Sequence, residues 1–392
     1  MASSAVLRSR VTEGDPAHAA APAPAAALQV LRWPELDEPA AIAAWDNLAD
    51  HASEPNPFYE SWYLLPSLRA LDPECEAEVL VLTQGDCWIG LVPLARWKRY
   101  YGRPLANISS WVHANCFLGL PLVRHGHEAQ FWRAFLSWTD RHCGSSLFLH
   151  LTQLPLEGPT HAALAAVLSE TGRSAALVQN EARALLRTDL DPTAYFDASL
   201  SGKKRKELRR QHARLSELGE LRFERSDDSE ALDEWIDQFL ALERAGWKGS
   251  AGSALACTDA TAALFCEALT GAAAHGKLER LTFSLDGRPV AMLANFLCAS
   301  GGFSYKTTYA EDLARFSPGV LLQRENLAIL ARDGIRWCDS CAAADHPMID
   351  HIWRERRKIG RVSIAIGGTL RRAAFKLLAR LETGRRTLSL EN

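Results

Sequence analysis

The chain has 392 residues, with 44 Lys and Arg against 47 Asp and Glu and a formal net charge of −3. Such a length predicts two domains, and the charge excludes a global pull toward nucleic acid or an anionic membrane. No apolar run reaches the ~20 residues of a membrane helix, and the nine cysteines, scattered and odd in number, suit free thiols in a reducing cytosol better than a disulfide framework.

The first 26 residues are rich in Ala and Pro, and Glu13 and Asp15 interrupt any signal-peptide core. They are expected to be a disordered tail of a cytoplasmic protein. Residues 28–33 predict a strand, and 40–49 and 58–71 predict helices. Residues 78–97 read as two strands about a Gly85-Asp86 turn. Residues 105–110 predict a further strand. Residues 128–143 predict a helix carrying Phe131, Trp132, Phe135 and Trp138. Residues 146–151 predict a strand, 160–171 a helix, and 174–179 and 182–189 two closing strands.

The second half replays this order. Short and long helices are expected over 192–198 and 203–218, the latter ended by Gly219. A strand over 221–225 and helices over 229–245 and 258–275 follow, the last capped by Thr258 or Asp259. Residues 278–285 and 289–298 predict a hairpin about Asp286-Gly287, and strands are expected over 335–339 and 361–366 before a final helix over 369–381. Arg280–Leu297 and Val79–Arg96 share one pattern: apolar strand, Gly/Asp turn, apolar strand. The chain therefore reads as two copies of one α/β unit.

The most informative stretch is Gly302–Leu330. Phe303, Tyr305, Thr307 and Tyr309 alternate with Ser304, Lys306 and Thr308, the period of a strand. Pro318 suits a first helical turn, and Ser317 before it suits an N-cap. Gly319 keeps that turn bare, so the free N–H groups of the helix start can meet a pyrophosphate.

The run Phe316-Ser317-Pro318-Gly319-Val320-Leu321-Leu322, with the strand before it and residues 202–219 and 239–252, resembles the acetyl-CoA-binding core of the GNAT acyltransferases. Within them it looks like the CelD-like branch, associated with cellulose biosynthesis and related to Fem-type transferases. The usual GNAT glycine pattern is reduced here to Gly319. The resemblance implies an α/β fold of two tandem GNAT-like domains, each a mixed, mostly antiparallel sheet flanked by helices. The first, 27–189, is expected to be degenerate, and the second, 190–392, to bind acyl-CoA. It implies acetyl-CoA as donor, held by Tyr305, Thr307, Ser317, Gly319, Val320 and Leu321, with backbone N–H groups of the 305–309 strand steadying the oxyanion.

Acyl transfer needs a base, oxyanion donors and a proton for the leaving thiolate. Asp339, at the end of a buried strand where α/β sites gather, is the candidate base, with a raised pKa. His346 is the nearby proton carrier, and Glu243 the alternative base. Trp247, Lys248 and Lys306 are the candidate acceptor-binding residues. Cys338, Cys341, His346 and His351 have a C-x2-C-x4-H-x4-H spacing too cramped for a zinc finger, so no metal is expected. Lys203, Lys204, Arg205, Lys206, Arg209, Arg210 and Arg214 form a basic run, read as a solvated helix face over an inner stripe of Leu208, Leu215 and Leu218. No DNA partner is expected, and RNA only if the Fem-type reading holds.

These readings converge on direct acyl transfer from acyl-CoA to an amine or hydroxyl of a small or saccharide acceptor. No nucleophilic Ser or Cys motif suggests a covalent intermediate. Two alternatives stand: a Fem-like aminoacyl transferase using aminoacyl-tRNA, and a catalytically silent scaffold in exopolysaccharide biosynthesis.

Overall fold

Alternating apolar residues build the two hairpins first. In the first half, β1 (Ala26–Leu31), β2 (Glu78–Gln84), β3 (Cys87–Trp97), β4 (Asn107–Ser110), β5 (Leu122–Val123), β6 (Phe148–Pro155) and β7 (Ala175–Leu186) follow in order. In the second, β8 (Leu221–Ser226), β9 (Leu278–Leu285), β10 (Arg288–Cys298), β11 (Ser300–Tyr309), β12 (Ile335–Asp339) and β13 (Glu355–Ala365) do so. Asp286 and Gly287 both have positive φ, 48° and 81°, as the tight turn between β9 and β10 requires. The computed structural model describes residues 25–384, so all but the last two residues of the Ala/Pro-rich tail lie outside it.

All these strands form one mixed sheet, in the order β1-β2-β3-β4-β6-β13-β7-β12-β11-β10-β9-β8, with β5 on β3. The order is nearly palindromic. Each half contributes an antiparallel meander that ends in one parallel pair, β4 with β6 and β11 with β12. Each half then lends its last strand to the other: β13 pairs with β6, and β7 pairs with β12. The two lent strands pair antiparallel at the centre. The sheet thus runs unbroken across residues 189 and 190, where the resemblance placed the boundary between two domains.

Helices cover the sheet, and two of them close the seam between halves. Ser61–Leu71 packs on Asp259–Ala274 at Gly271, where a Cβ would lie 2.9 Å from Trp62 Cβ and 3.0 Å from its carbonyl oxygen. Beneath them the core is aromatic. Phe58 and Tyr63 of the first half meet Phe296, Phe303 and Tyr305 of the second.

Several expected boundaries differ. The two closing strands expected over 174–189 are one strand, β7; its polar Gln179–Glu181 stretch is the part least covered by neighbours. The helix expected from Ser229 begins at Leu232, after a left-handed Ala231. Leu218 lies past the end of the basic helix Gly202–Ser216 and is exposed, while Leu208 and Leu215 are buried as the stripe requires. Ser317 is not a side-chain cap: its backbone is left-handed, φ 53°, and its hydroxyl caps nothing.

Candidate active site

β11 and β12 pair in parallel only from Ser300 to Phe303, whose partner is Asp339. Beyond Phe303, among the described residues, that edge of β11 has no strand beside it. The chain turns away after Asp339 through Ser340 and a left-handed Cys341, φ 51°. A cavity of about 490 Å³ opens where the strands part. Ser304–Tyr309 form one wall. Ser340–Ala343 and His346–Ile349 form another, and Glu243, Gly246, Trp247, Lys248, Glu311, Gln323 and Phe117 complete it.

A register shift opposite Ala294 and Asn295 leaves Tyr305 as an extra residue in β11. Such a bulge re-aims the side chains that follow it. Tyr305 and Lys306 therefore share one aromatic environment rather than opposite faces. Tyr305 stacks on Phe296 at 4.5 Å and meets the Tyr63 hydroxyl at 3.2 Å. The Lys306 ammonium sits over the rings of Phe117, at 5.1 Å, and Tyr305, at 5.6 Å. It donates to Asn115 Oδ1 at 2.8 Å. Burial, reinforced by the charge of Lys248, brings its pKa down to about 8. A partly buried lysine with that value exchanges its proton near neutrality.

Glu243 ends the helix Leu232–Ala245 with its carboxylate buried. It accepts from Lys248 Nζ at 2.8 Å and from the Leu255 N–H at 2.8 Å. Lys248 also donates to the Thr307 carbonyl at 3.3 Å, tying the helix end to β11. Both Glu243 oxygens are engaged, which fits a positioning part better than a free base. Trp247 is 57% exposed at the mouth, its ring open for stacking. His346 lines the wall with Nδ1 buried and without a partner. Burial, and then Lys248, hold its pKa below the usual histidine value, so the imidazole is neutral at pH 7.

Asp339 requires a correction. Its carboxylate is fully buried outside the cavity wall, where Arg183 of β7 donates at 2.7 Å and Arg357 of β13 at 2.9 Å. The Cys341 N–H supplies a third bond at 2.9 Å. Burial pushes the carboxyl up, but the two guanidiniums outweigh it and hold the pKa below its usual value. The expected raised pKa is thus reversed. Asp339 joins β7, β12 and β13 at the seam instead of facing a substrate.

The helix start is also arranged differently from expectation. Pro318 opens the helix Pro318–Asn326, and Tyr305 and Thr307 line the cavity. Ser317, Gly319, Val320 and Leu321 do not line it. A Cβ on Gly319 would lie 2.7 Å from Met348 Sδ and 3.1 Å from Tyr309 Cδ1. The bare turn is therefore filled by the segment after β12, and the glycine serves this close approach. Among the described residues no group of three or more Cys, His, Asp or Glu side chains is arranged to hold a metal, and Cys338 and Cys341 are buried free thiols.

The parts missed by sequence reading come from the first half. Its parallel pair also parts, β4 ending at Ser110 while β6 runs on to Pro155. The segment Trp111–Leu120 fills that opening: the Gly119 N–H donates to the Gln153 carbonyl at 2.9 Å, and a Cβ on Gly119 would run into the Thr152 carbonyl. The same segment brings Phe117 to the cavity wall and Asn115 to the Lys306 ammonium. No local sequence signal marks such a loan.

Residues 202–346 match the family model of the acetyltransferase (GNAT) domain. The match covers the stretch that holds β11 and β12, so the second half is similar to a GNAT acetyltransferase domain, with these two strands as the pair that parts. Among solved structures, FemX superposes with a TM-score of 0.54 at 10% identity, covering 86% of this chain and 98% of its own. The C-terminal domain of a protein described as a lysylphosphatidylglycerol synthetase, from Agrobacterium fabrum, gives 0.51 at 12% identity, covering 88% and 98%. At such identities these likenesses show the fold. No curated protein sequence matches the chain.

Proposed function

We propose that the chain transfers an acyl group from acyl-CoA, acetyl-CoA in the first instance, to an amine or hydroxyl of a small or saccharide acceptor. The observation that carries this reading is Lys306, a partly buried lysine whose pKa is brought down to about 8, at the parting of the splayed strands. Neutral Lys306 takes the proton as the acceptor attacks the thioester carbon. The unpaired edge of β11 offers N–H groups to the developing oxyanion. As the C–S bond breaks, the proton returns from Lys306 to the departing thiolate. His346, neutral and facing the same space, is the second group able to accept a proton. Trp247 supports a flat-faced acceptor such as a sugar, consistent with polysaccharide precursors. The free thiols suit a cytoplasmic setting.

A second reading keeps the chemistry and changes the donor. Met348 and Tyr309 cover the helix start where a CoA pyrophosphate was expected, so acyl-CoA must displace the segment after β12. An aminoacyl-tRNA, the donor implied by the Fem-type resemblance, does not need that turn. Thermal shift separates the two. Acetyl-CoA at 100 times its Kd stabilises by about 2.7 kcal/mol. A shift with aminoacyl-tRNA and none with any acyl-CoA at millimolar concentration would replace the first reading by the second. No shift with either would leave the scaffold.

A further inference from the structure

The last helix, Thr369–Thr383, packs inward with Phe375 and Ala379 against Tyr100, Phe148 and Ala365. Its outer face carries Leu370, Leu377 and Leu381, which are 87%, 64% and 75% exposed. At 100° per residue these three fall within a narrow stripe, with the exposed Ala374 between them. Lys376 and Arg380, both exposed, flank one side. The inner-edge Arg371 and Arg372 bind the 144 and 146 carbonyls and Asp140. Glu382 is the helix's one acid, and it accepts from the Tyr100 hydroxyl at 2.8 Å.

That bond joins the helix to the end of β3 and the loop that follows it, Trp97-Lys98-Arg99-Tyr100-Tyr101-Gly102-Arg103, which together hold three cations and no acid. Trp97 and Tyr101 in this stretch are more than half exposed. Arg361 lies over the Tyr101 ring at 5.5 Å. The four most exposed large apolar side chains among the described residues, Leu370, Leu381, Leu377 and Tyr101, thus belong to one helix and the loop bonded to it. Isolated exposed leucines need no explanation, but a stripe of them beside cations and aromatics does.

We infer that this helix and loop dock the protein on an anionic lipid surface. The charge selects this partner. The helix has four cations to one acid and the loop three to none, on a chain whose net charge is −3. Leucines on one face, Lys and Arg at its edge and aromatics alongside are what a helix lying in a membrane interface requires. Attraction of lysines and arginines to anionic headgroups strengthens the contact. Among the described residues no helix is long and apolar enough to cross a membrane, so the contact is peripheral. It is independent of the donor reading.

The test is co-sedimentation of the full chain with vesicles of phosphatidylcholine, with and without about one-third phosphatidylglycerol. Binding is expected to the anionic vesicles, and to fall at least about fivefold without the anionic lipid, the scale of ~1 kcal/mol per cation. Leu377→Glu with Leu381→Glu should abolish it, and Lys376→Glu with Arg380→Glu should lower it about tenfold or more. These side chains are exposed, so circular dichroism and Tm should be unchanged, and the partition is compared at equal folding. No partition to anionic vesicles, or partition indifferent to the leucine pair, would overturn the inference. So would a leucine variant that merely converts a dimer to a monomer, since the face would then bind a second copy.

Discussion

Lys306 Nζ lies 2.8 Å from Asn115 Oδ1, so the central cation of the second-half cavity is held by a loop of the first half. The pair ties the two halves together at the cavity. The loop that closes one opening furnishes the wall of the other.

This arrangement gives a pH dependence with a definite sign. Lys306 must be neutral to accept a proton, and its pKa is near 8. kcat/KM should therefore rise with pH through about 8 and level off above it. Lys306→Arg, permanently charged, should remove the rise and lower turnover by about 100-fold, the scale of a lost general base. Release of CoA thiol from acetyl-CoA, with an acceptor amine in excess, reads both. A profile unchanged in the variant would remove Lys306 from the chemistry.

Stability should also rise with pH, over a higher range. The folded state depresses the Lys306 pKa, so between about pH 8 and 10.4 the unfolded chain binds more protons and stability rises with pH. Lys306→Met should abolish that rise and be more stable than the natural protein at pH 7, though inactive. Denaturant midpoints at pH 7 and 10 check this; a less stable variant at pH 7 would contradict it.

Asp339→Asn should damage folding rather than the chemical step. Removing one member of a buried ion cluster leaves Arg183 and Arg357 uncompensated, at about 3–5 kcal/mol. The natural carboxyl is held low. Its contribution is therefore complete above the unfolded value of about 3.9 and lost as pH falls through the folded one. The variant should lack that acid-limb dependence in urea unfolding. An unchanged midpoint with a large fall in turnover would restore Asp339 as a base.

At the seam, Gly271→Leu should cost about 1–3 kcal/mol by overpacking. The atoms in the way are Trp62 Cβ and its carbonyl, which have little freedom to yield. Wild-type stability in that variant would mean that the two helices can separate without penalty.

Much of the fold was legible because its signals are local. The hairpins about Gly85 and Asp286-Gly287, the helix capped by Thr258 and the crossover from β11 to β12 follow from period and turn chemistry. The lent strands were not legible, since β7 and β13 read alike whichever half they join. Asp339 was correctly placed at a strand end, but its partners lie 156 and 18 residues away in sequence. Spacing cannot report a carboxylate already neutralised. Lys306 was singled out as an acceptor-binding candidate; the surroundings that lower its pKa include Phe117 of the other half, which only the folded chain brings near.

The most direct measurement is a crystal structure with a non-reactive thioether analogue of acetyl-CoA. The analogue's carbonyl should lie between β11 and Ser340–Ala343, within hydrogen-bond reach of β11 N–H groups, with Met348 displaced from Gly319. An analogue that shows no binding by calorimetry at millimolar concentration, or that binds outside this cavity, would contradict it.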